Sequence, residues 1–362
     1  MFHRVEELRL RLKDSGLDAI LISQPENRRY LSGFIGTAGH LMVSQDKAIL
    51  ATDFRYTEQA MRQAPNFEVR RTEGDITKWL PKLIAEALPQ TLGFEAQDVT
   101  YASYQAMLKV LEELDPGQRP SLVPTENLVD QLRAVKDKEE LDTISRAIAL
   151  GDAAFDHVSE RIRPGMTEKQ VAWEIEKYLR ENGGERLSFD TIVASGVYSA
   201  VPHHHTSDKP LEAGEPVVID MGCVMDGYCS DLTRTVFVGA PDDQFKRIYD
   251  IVLGAQLTAA ATIAAGMTGN DADALARHVI EQAGHGDHFG HSLGHGVGLA
   301  VHEFPRLGKG SNDVLADNMV FSIEPGIYIT DWGGVRIEDL AVLEEGRVRV
   351  LSKARKTELH GR

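Results

Sequence analysis

Val217-Val218-Ile219-Asp220, a turn at Met225-Asp226-Gly227, and Ser230-Asp231-Leu232-Thr233 read as an apolar hairpin with two acids inside it. Further along, the pattern returns as Val320-Phe321-Ser322-Ile323-Glu324, a turn near Asp331-Trp332-Gly333-Gly334, and Arg336-Ile337-Glu338-Asp339. Between them lies a glycine-spaced histidine run, Gly290-His291-Ser292-Leu293-Gly294-His295-Gly296-Val297-Gly298, followed by His302. Four carboxylates embedded in apolar strands are costly unless cations compensate them. A pair of divalent ions would do so, which points to a metallohydrolase.

Side chains alternate faces along a strand, so register tests whether each acid pair converges. A turn at Met225-Asp226 sets Asp220 directly opposite Asp231. A turn at Asp226-Gly227, the better hairpin dipeptide, makes them diagonal neighbours. Both registers keep the carboxylates on one face, with Cβ atoms roughly 4.5–8 Å apart. For Glu324 and Glu338 a two-residue turn gives opposite faces. An odd-length loop or a bulge restores the match, and Gly333-Gly334 suits either. With one imidazole added, the acids carry the charge that two divalent cations neutralise. Such ions lie about 3.5–4 Å apart and favour ionisation of an attacking water. Oxygen-rich ligation suits manganese or cobalt at least as well as zinc. Without thiolates a closed structural zinc site is not expected.

The acid hairpins belong to a longer repeat. Ile162-Arg163-Pro164-Gly165-Met166-Thr167 recurs as Ile263-Ala264-Ala265-Gly266-Met267-Thr268, 101 residues later. Each copy begins a helix that ends at a glycine, Gly183 or Gly284, supplies histidines, and closes with an acid hairpin. The constant offset favours duplication, with two helix-plus-sheet halves about a pseudo-twofold axis.

Residues 1–125 alternate helix-like and strand-like segments, among them a helix over 5–13 stopped at Gly16, strands at 19–22 and 48–51, and helices over 76–88 and 104–114. That alternation predicts a small α/β domain. A linker over 126–136 leads to a catalytic domain over 137–362, which opens on a long helix. The uncharged stretch 254–270 reads as a buried helix too short to span a bilayer.

At 362 residues the chain suits two domains. Its net charge of −16 (39 basic, 55 acidic) shows no basic patch for a nucleic-acid surface. Cys223 and Cys229 make neither a zinc pattern nor a disulfide framework, and reduced thiols are expected. The N-terminus has no signal-peptide core, and no segment suggests a membrane. A cytoplasmic protein is the expectation.

Single elements carry little weight. A lone Asp in a strand is usually an edge or turn residue, and a lone buried His a hydrogen-bonded core group. Residues 290–298 lack the ending of a phosphate-binding loop. His203-His204-His205 alone suggests a solvated loop. The ordered set as a whole carries the argument.

These residues resemble the prolidase and aminopeptidase P family, whose catalytic domain has the pita-bread fold. Asp220-Met-Gly-x4-Gly227-Tyr-x-Ser230-Asp231-x-Thr-Arg-Thr, Gly290-His291-Ser-Leu-Gly-His295-Gly-Val-Gly-Leu-x-Val-His302-Glu303, Phe321-Ser-Ile-Glu324-Pro-Gly-Ile-Tyr and Val335-Arg336-Ile-Glu338-Asp339 are similar to its motifs. The likeness spans about 137 to the C-terminus, and the N-terminal segment resembles a creatinase-type domain. It implies an α/β N-terminal domain plus an α+β pita-bread catalytic domain with pseudo-twofold internal duplication.

By that resemblance Asp220, Asp231, His295, Glu324 and Glu338 would hold two divalent ions, manganese first, with cobalt or zinc as alternatives. Glu324 would also shuttle protons. His203, or His204 or His205 if the alignment slips, would be the substrate-side histidine, and His302 would polarise the scissile carbonyl. His291 would line a proline pocket, and Arg336 would serve the substrate side while orienting Asp231 or Glu338. The implied activity is hydrolysis of Xaa-Pro bonds at a free N-terminus, as a dipeptidase or an aminopeptidase, on proline-containing peptides and as a homodimer. The alternatives are a methionine-aminopeptidase-like exopeptidase and a non-catalytic pita-bread binding protein, which would be expected to lose ligands.

Overall fold

The computed structural model describes residues 2–356 and 360–361, and the chain divides into two compact units, Met1–Arg133 and Ala134–Arg362. The first unit is built on a six-stranded sheet. Its order is Glu68–Arg71, Ala48–Thr52, His40–Ser44, Ala19–Ile22, Thr91–Glu95 and Ser121–Thr125. Ala19–Ile22 is buried at every position, because it pairs antiparallel with His40–Ser44 and parallel with Thr91–Glu95. An unbroken apolar run is what a strand covered on both faces requires. Helices Ile76–Ala87 and Tyr101–Glu113 pack Trp79, Leu83, Met107 and Val110 over Leu21, Met42 and Leu92. Asp75 and Thr100 cap these helices through Thr77 N and Ser103 N.

The second unit shows the duplication. Thr167 and Thr268 each cap a 14-residue helix, Glu168–Glu181 and Gly269–Gln282, and each closes a capping box. Gly165 and Gly266 precede them, both at φ +88°, where a side chain would be strained. Leu211 is paired through its backbone with Gly165 and Met166, and Leu315 in the same way with Gly266 and Met267. Each helix start is thereby tied to the chain just ahead of its acid hairpin. The stretch 254–270 is not one helix. It spans the end of Asp243–Thr262 and the start of Gly269–Gln282, broken by the turn at Gly266 and the non-helical Thr268 cap. Among the described residues, no helix is long and apolar enough to cross a membrane. Cys223 and Cys229 are buried free thiols.

The hairpin registers settle the convergence of the acids. Asp226 and Gly227 both have positive φ, as a type I′ turn needs. Thr233 stands opposite Asp220, so Asp231 is the diagonal neighbour on the same face. In the second hairpin Ile329 pairs with Gly333, leaving the three-residue loop Thr330-Asp331-Trp332 with Asp331 at φ +65°. That odd count answers the parity problem. Ile323 faces Asp339 and Gly326 faces Arg336, so Glu324 stands across from Glu338.

Candidate metal centre and active site

The two hairpins meet at their acids. Glu338 N donates to Thr233 O (3.0 Å), and Thr233 Oγ1 donates to Glu338 Oε2 (2.8 Å). Asp231, His295 and Glu338 each offer a donor atom, all within 4.8 Å of one another. His295 Nε2 also lies 3.2 Å from Glu324 Oε1. His295 Nδ1–H donates to Gly296 O (3.1 Å), which fixes the tautomer and turns Nε2 toward the acids. The glycine spacing of this strand serves close approach. A Cβ at Gly294 would lie 2.0 Å from Ser322 O, and one at Gly296 2.2 Å from Phe304 O.

Asp220 is held differently. Its Oδ2 pairs with Arg336 (2.7 Å), while Oδ1 is buried without a hydrogen-bond partner, as is Glu338 Oε1. Buried carboxylate oxygens are almost always satisfied. Two orphans within one acid cluster fit a donor set made for cations.

The electrostatics agree. Burial, then the charges of Glu338, Asp220 and Glu324, push the Asp231 carboxyl well above its ordinary range. Burial, then Glu324 and Asp220, do the same to Glu338. Burial raises Asp220 against the opposing charge of Arg336. For Glu324 burial is outweighed by the hydrogen bond and charge of His295, with His291 and Arg336, which hold it at about 2. At His295 burial is likewise outweighed by Glu324 and Glu338, which lift it to about 9.

These groups line a cavity of about 650 Å³ that also takes in Phe189, Ile192, His203, His291, His302 and Arg306. His203 and His302 are exposed within it, and the His302 ring meets His295 edge-on with centroids 4.2 Å apart. His291 Nδ1–H donates to Ser292 O (2.8 Å), so its Nε2 accepts from Tyr328 OH (2.8 Å). Its segment is pinned by Arg277, which donates to His291 O and Phe289 O and pairs with Asp273 (2.6 Å). His205 is exposed, whereas His204 is half-buried and turned to Glu168.

Arg336, read from the sequence as orienting Asp231 or Glu338 and serving the substrate side, is committed to protein partners. Its side chain is 4% exposed, and its three nitrogens bind Thr233 Oγ1, Tyr328 OH with Pro202 O, and Asp220. It orients Asp220 directly and Glu338 through Thr233, rather than Asp231, and it has no nitrogen left uncommitted for a substrate.

Sequence reasoning passed over Thr233, Tyr328 and Arg306. For two of them the signal was parity: Thr233 follows Asp231 by two and Tyr328 follows Glu324 by four. Arg306 lies on the strand Glu303–Leu307, which starts after His302 and is bulged before Arg306, so parity does not reach it.

The description of metallopeptidase family M24 matches residues 142–345, and that of the creatinase/prolidase N-terminal domain matches residues 4–135. The chain is similar to an Xaa-Pro dipeptidase from Bacillus anthracis, with 43% identity, 99% of each chain covered and a TM-score of 0.94. An X-Pro aminopeptidase from Thermotoga maritima MSB8 shares 37% identity over 98% of this chain and 99% of its own, with a TM-score of 0.89. An Xaa-Pro dipeptidase of Pyrococcus furiosus is 37% identical over 354 residues, 98% of each chain. With its ligand-rich cavity in a duplicated pita-bread unit, the chain belongs to metallopeptidase family M24 and carries a creatinase/prolidase-type N-terminal domain.

Proposed function

We propose that this metallopeptidase hydrolyses Xaa-Pro bonds at a free N-terminus, acting chiefly as a dipeptidase. The observation that carries the reading is the cluster of Asp231, His295 and Glu338 within 4.8 Å, beside the orphaned oxygens of Asp220 and Glu338. Those residues with Glu324 would hold two divalent ions, manganese first. Such ions supply Lewis acidity, polarising the scissile carbonyl and easing ionisation of the attacking water.

The protein's own groups do the rest. Glu324 Oε1, a carboxylate at neutral pH, takes the proton of the attacking water and passes it toward the leaving proline nitrogen. Ser322 Oγ donates to that same oxygen (3.0 Å) and fixes its direction. His302 and His203 face the cavity, where they steady the developing oxyanion and the departing amine. His291, kept below its ordinary pKa by burial, is a neutral wall of the pocket for the ring. A bond to proline has a tertiary amide and no N–H. A site that grips the carbonyl and the ring does not need that donor.

Arg306 favours the dipeptide. Among the described Lys and Arg residues, only Arg306 and Arg336 line the cavity, and Arg336 is committed to the protein. Arg306 is exposed and steadied by Ser292 Oγ (3.3 Å), free to receive the carboxylate of a C-terminal proline. We further propose a cytoplasmic homodimer in which 126–136 joins the two domains. The test is metal-dependent cleavage of Ala-Pro against Ala-Pro-Ala. Manganese- or cobalt-dependent cleavage confined to Ala-Pro supports a dipeptidase, and cleavage of neither sinks the reading.

A further inference from the structure

Two of the histidines that line the cavity, His203 and His302, are each followed by a residue held by a buried charged partner. After His203, His204 Nε2–H donates to Glu168 Oε2 (2.9 Å), whose side chain is wholly buried. After His302, Glu303 pairs with Lys136 Nζ (2.7 Å), with side chains 3% and 1% exposed. We propose that His204 and Glu303 are positioning residues, which fix the direction of His203 and His302 in the cavity. The inference rests on the catalytic roles assigned to those two histidines above.

Glu168 is a gathering point. Oε1 accepts from Ser195 N (2.8 Å) and Ser195 Oγ (2.7 Å), and Oε2 accepts from His204, Ser207 N (3.0 Å) and Ser207 Oγ (2.7 Å). One carboxylate thus ties the end of strand Ile192–Ser195 to both His204 and Ser207 of the histidine loop. Glu168 opens its helix directly after the Thr167 cap, where the free amides favour negative charge. The Tyr198 ring covers His204 face to face, with centroids 5.0 Å apart. On the other flank of His203, Pro202 O accepts from Arg336 (3.3 Å), which in turn holds Asp220. His203 is suspended between the metal ligands and Glu168.

Glu303 does the same for His302. Its carboxylate accepts from Lys136 and from Ala300 N (3.4 Å), so contacts bracket His302 along the chain. His203 lies in the turn closed by His204 N and Val201 O (3.1 Å), and His302 directly precedes the strand Glu303–Leu307, so each histidine is one residue from its anchor. Fixing one side chain in the frame therefore fixes its neighbour in the cavity. Apolar residues of similar volume would serve the fold as well as these pairs do. Directional hydrogen bonds, unlike apolar packing, set the orientation of a loop, and misplacement by about 1 Å can cost a hundredfold in rate.

The test uses the manganese-loaded enzyme and Ala-Pro, with metal content measured for each variant. His203→Ala should lower kcat by roughly a hundredfold or more. His204→Ala should lower it about tenfold, with KM and metal content little changed. His204→Gln, which keeps a side-chain N–H for Glu168, should recover most of the loss. In the His203→Ala background, adding His204→Ala should cost nothing more. The pair Glu303→Gln and His302→Ala should behave alike. If His204→Ala does not fold, Glu168→Gln takes its place in the same cycle. An equal loss in both backgrounds, or none in either, overturns the positioning inference and leaves the catalytic assignment standing. Full turnover by His203→Ala overturns that assignment, and the inference falls with it.

Discussion

Asp231 and Glu338 bring carboxylate oxygens within 4.8 Å of each other, in a site where Asp231 is 6% exposed. At an effective dielectric of about 20, two unit charges at that distance repel by about 3.5 kcal/mol. His295, 3.7 Å from Asp231, offsets part of this. Asn at position 231 keeps the shape and removes the charge. In chelator, Asp231→Asn should therefore be more stable than the native protein by about 1–3 kcal/mol, or roughly 2–10 °C. The sign also depends on pH. The folded-state pKa of Asp231 is raised, so the native protein loses stability as pH rises through that value, and the Asn variant does not. The gap should be wider at pH 8.5 than at pH 4.5, just above the ordinary carboxylate range. With manganese at about 100 times its Kd, each bound ion adds about 2.7 kcal/mol to the native protein. The variant lacks a ligand charge and gains less, so the ranking inverts. Thermal melts in chelator and in manganese, at both pH values, measure this. A variant that melts below the native protein in chelator at pH 8.5, with native circular dichroism, would refute the charge-strain reasoning.

Glu324→Gln keeps the hydrogen bonds around position 324 but removes the proton acceptor, and should lower kcat by roughly 10²–10⁴-fold; steady-state rates read beside metal content distinguish this from ligand loss. Arg306→Met should raise KM for Ala-Pro about 10–100-fold, the worth of a charged hydrogen bond, and leave Ala-Pro-amide nearly unaffected; equal losses on both would remove Arg306 from carboxylate recognition. In the first unit, burial and then Arg28 hold His40 at about 4 beside the tilted ring of Trp79, so its contribution is present above pH 6.5 and is lost as pH falls toward 4. The loss amounts to about 3 kcal/mol, and an NMR titration placing the His40 ring near pH 6.5 would count against it.

The acids were legible because they break a strong pattern. An Asp at the end of Val217-Val218-Ile219, or a Glu after Val320-Phe321-Ser322-Ile323, is conspicuous in an otherwise buried strand, and parity tells which neighbour shares its face. The first pair needed only the turn dipeptide. The second needed a loop length, and the three residues that close it carry no signal in sequence beyond Gly333-Gly334. Tyr328, Thr233 and Arg306 stayed hidden for another reason. Each is an ordinary residue in a strand, and its role comes from a partner far along the chain: Thr233 meets Glu338, Tyr328 meets His291, and Arg306 faces the cavity beside Ser292. Such contacts belong to the packing of two hairpins and a histidine segment against one another. The misread stretch 254–270 shows the limit of composition. It is uniformly apolar and polar-neutral, yet one glycine with positive φ and one Thr cap divide it between two helices.

Duplication accounts for the ligands but not for the substrate side, and one pair of equivalent positions shows why. Glu168 and Gly269 both stand directly after the capping Thr of their helices. In the first copy the side chain gathers the loop that presents His203. In the second copy no side chain fits, since a Cβ on Gly269 would lie 2.0 Å from Arg306 O. The missing side chain lets the strand Glu303–Leu307, which follows His302 and carries Arg306, approach the helix. A peptide has two different ends, and a site with true twofold symmetry would offer both the same surroundings. The carboxylates can stay paired, because two like cations need like ligands. Polarity along the substrate must come from positions where the copies diverged, with His203 and its Glu168 anchor on one side and Arg306 against a bare glycine on the other.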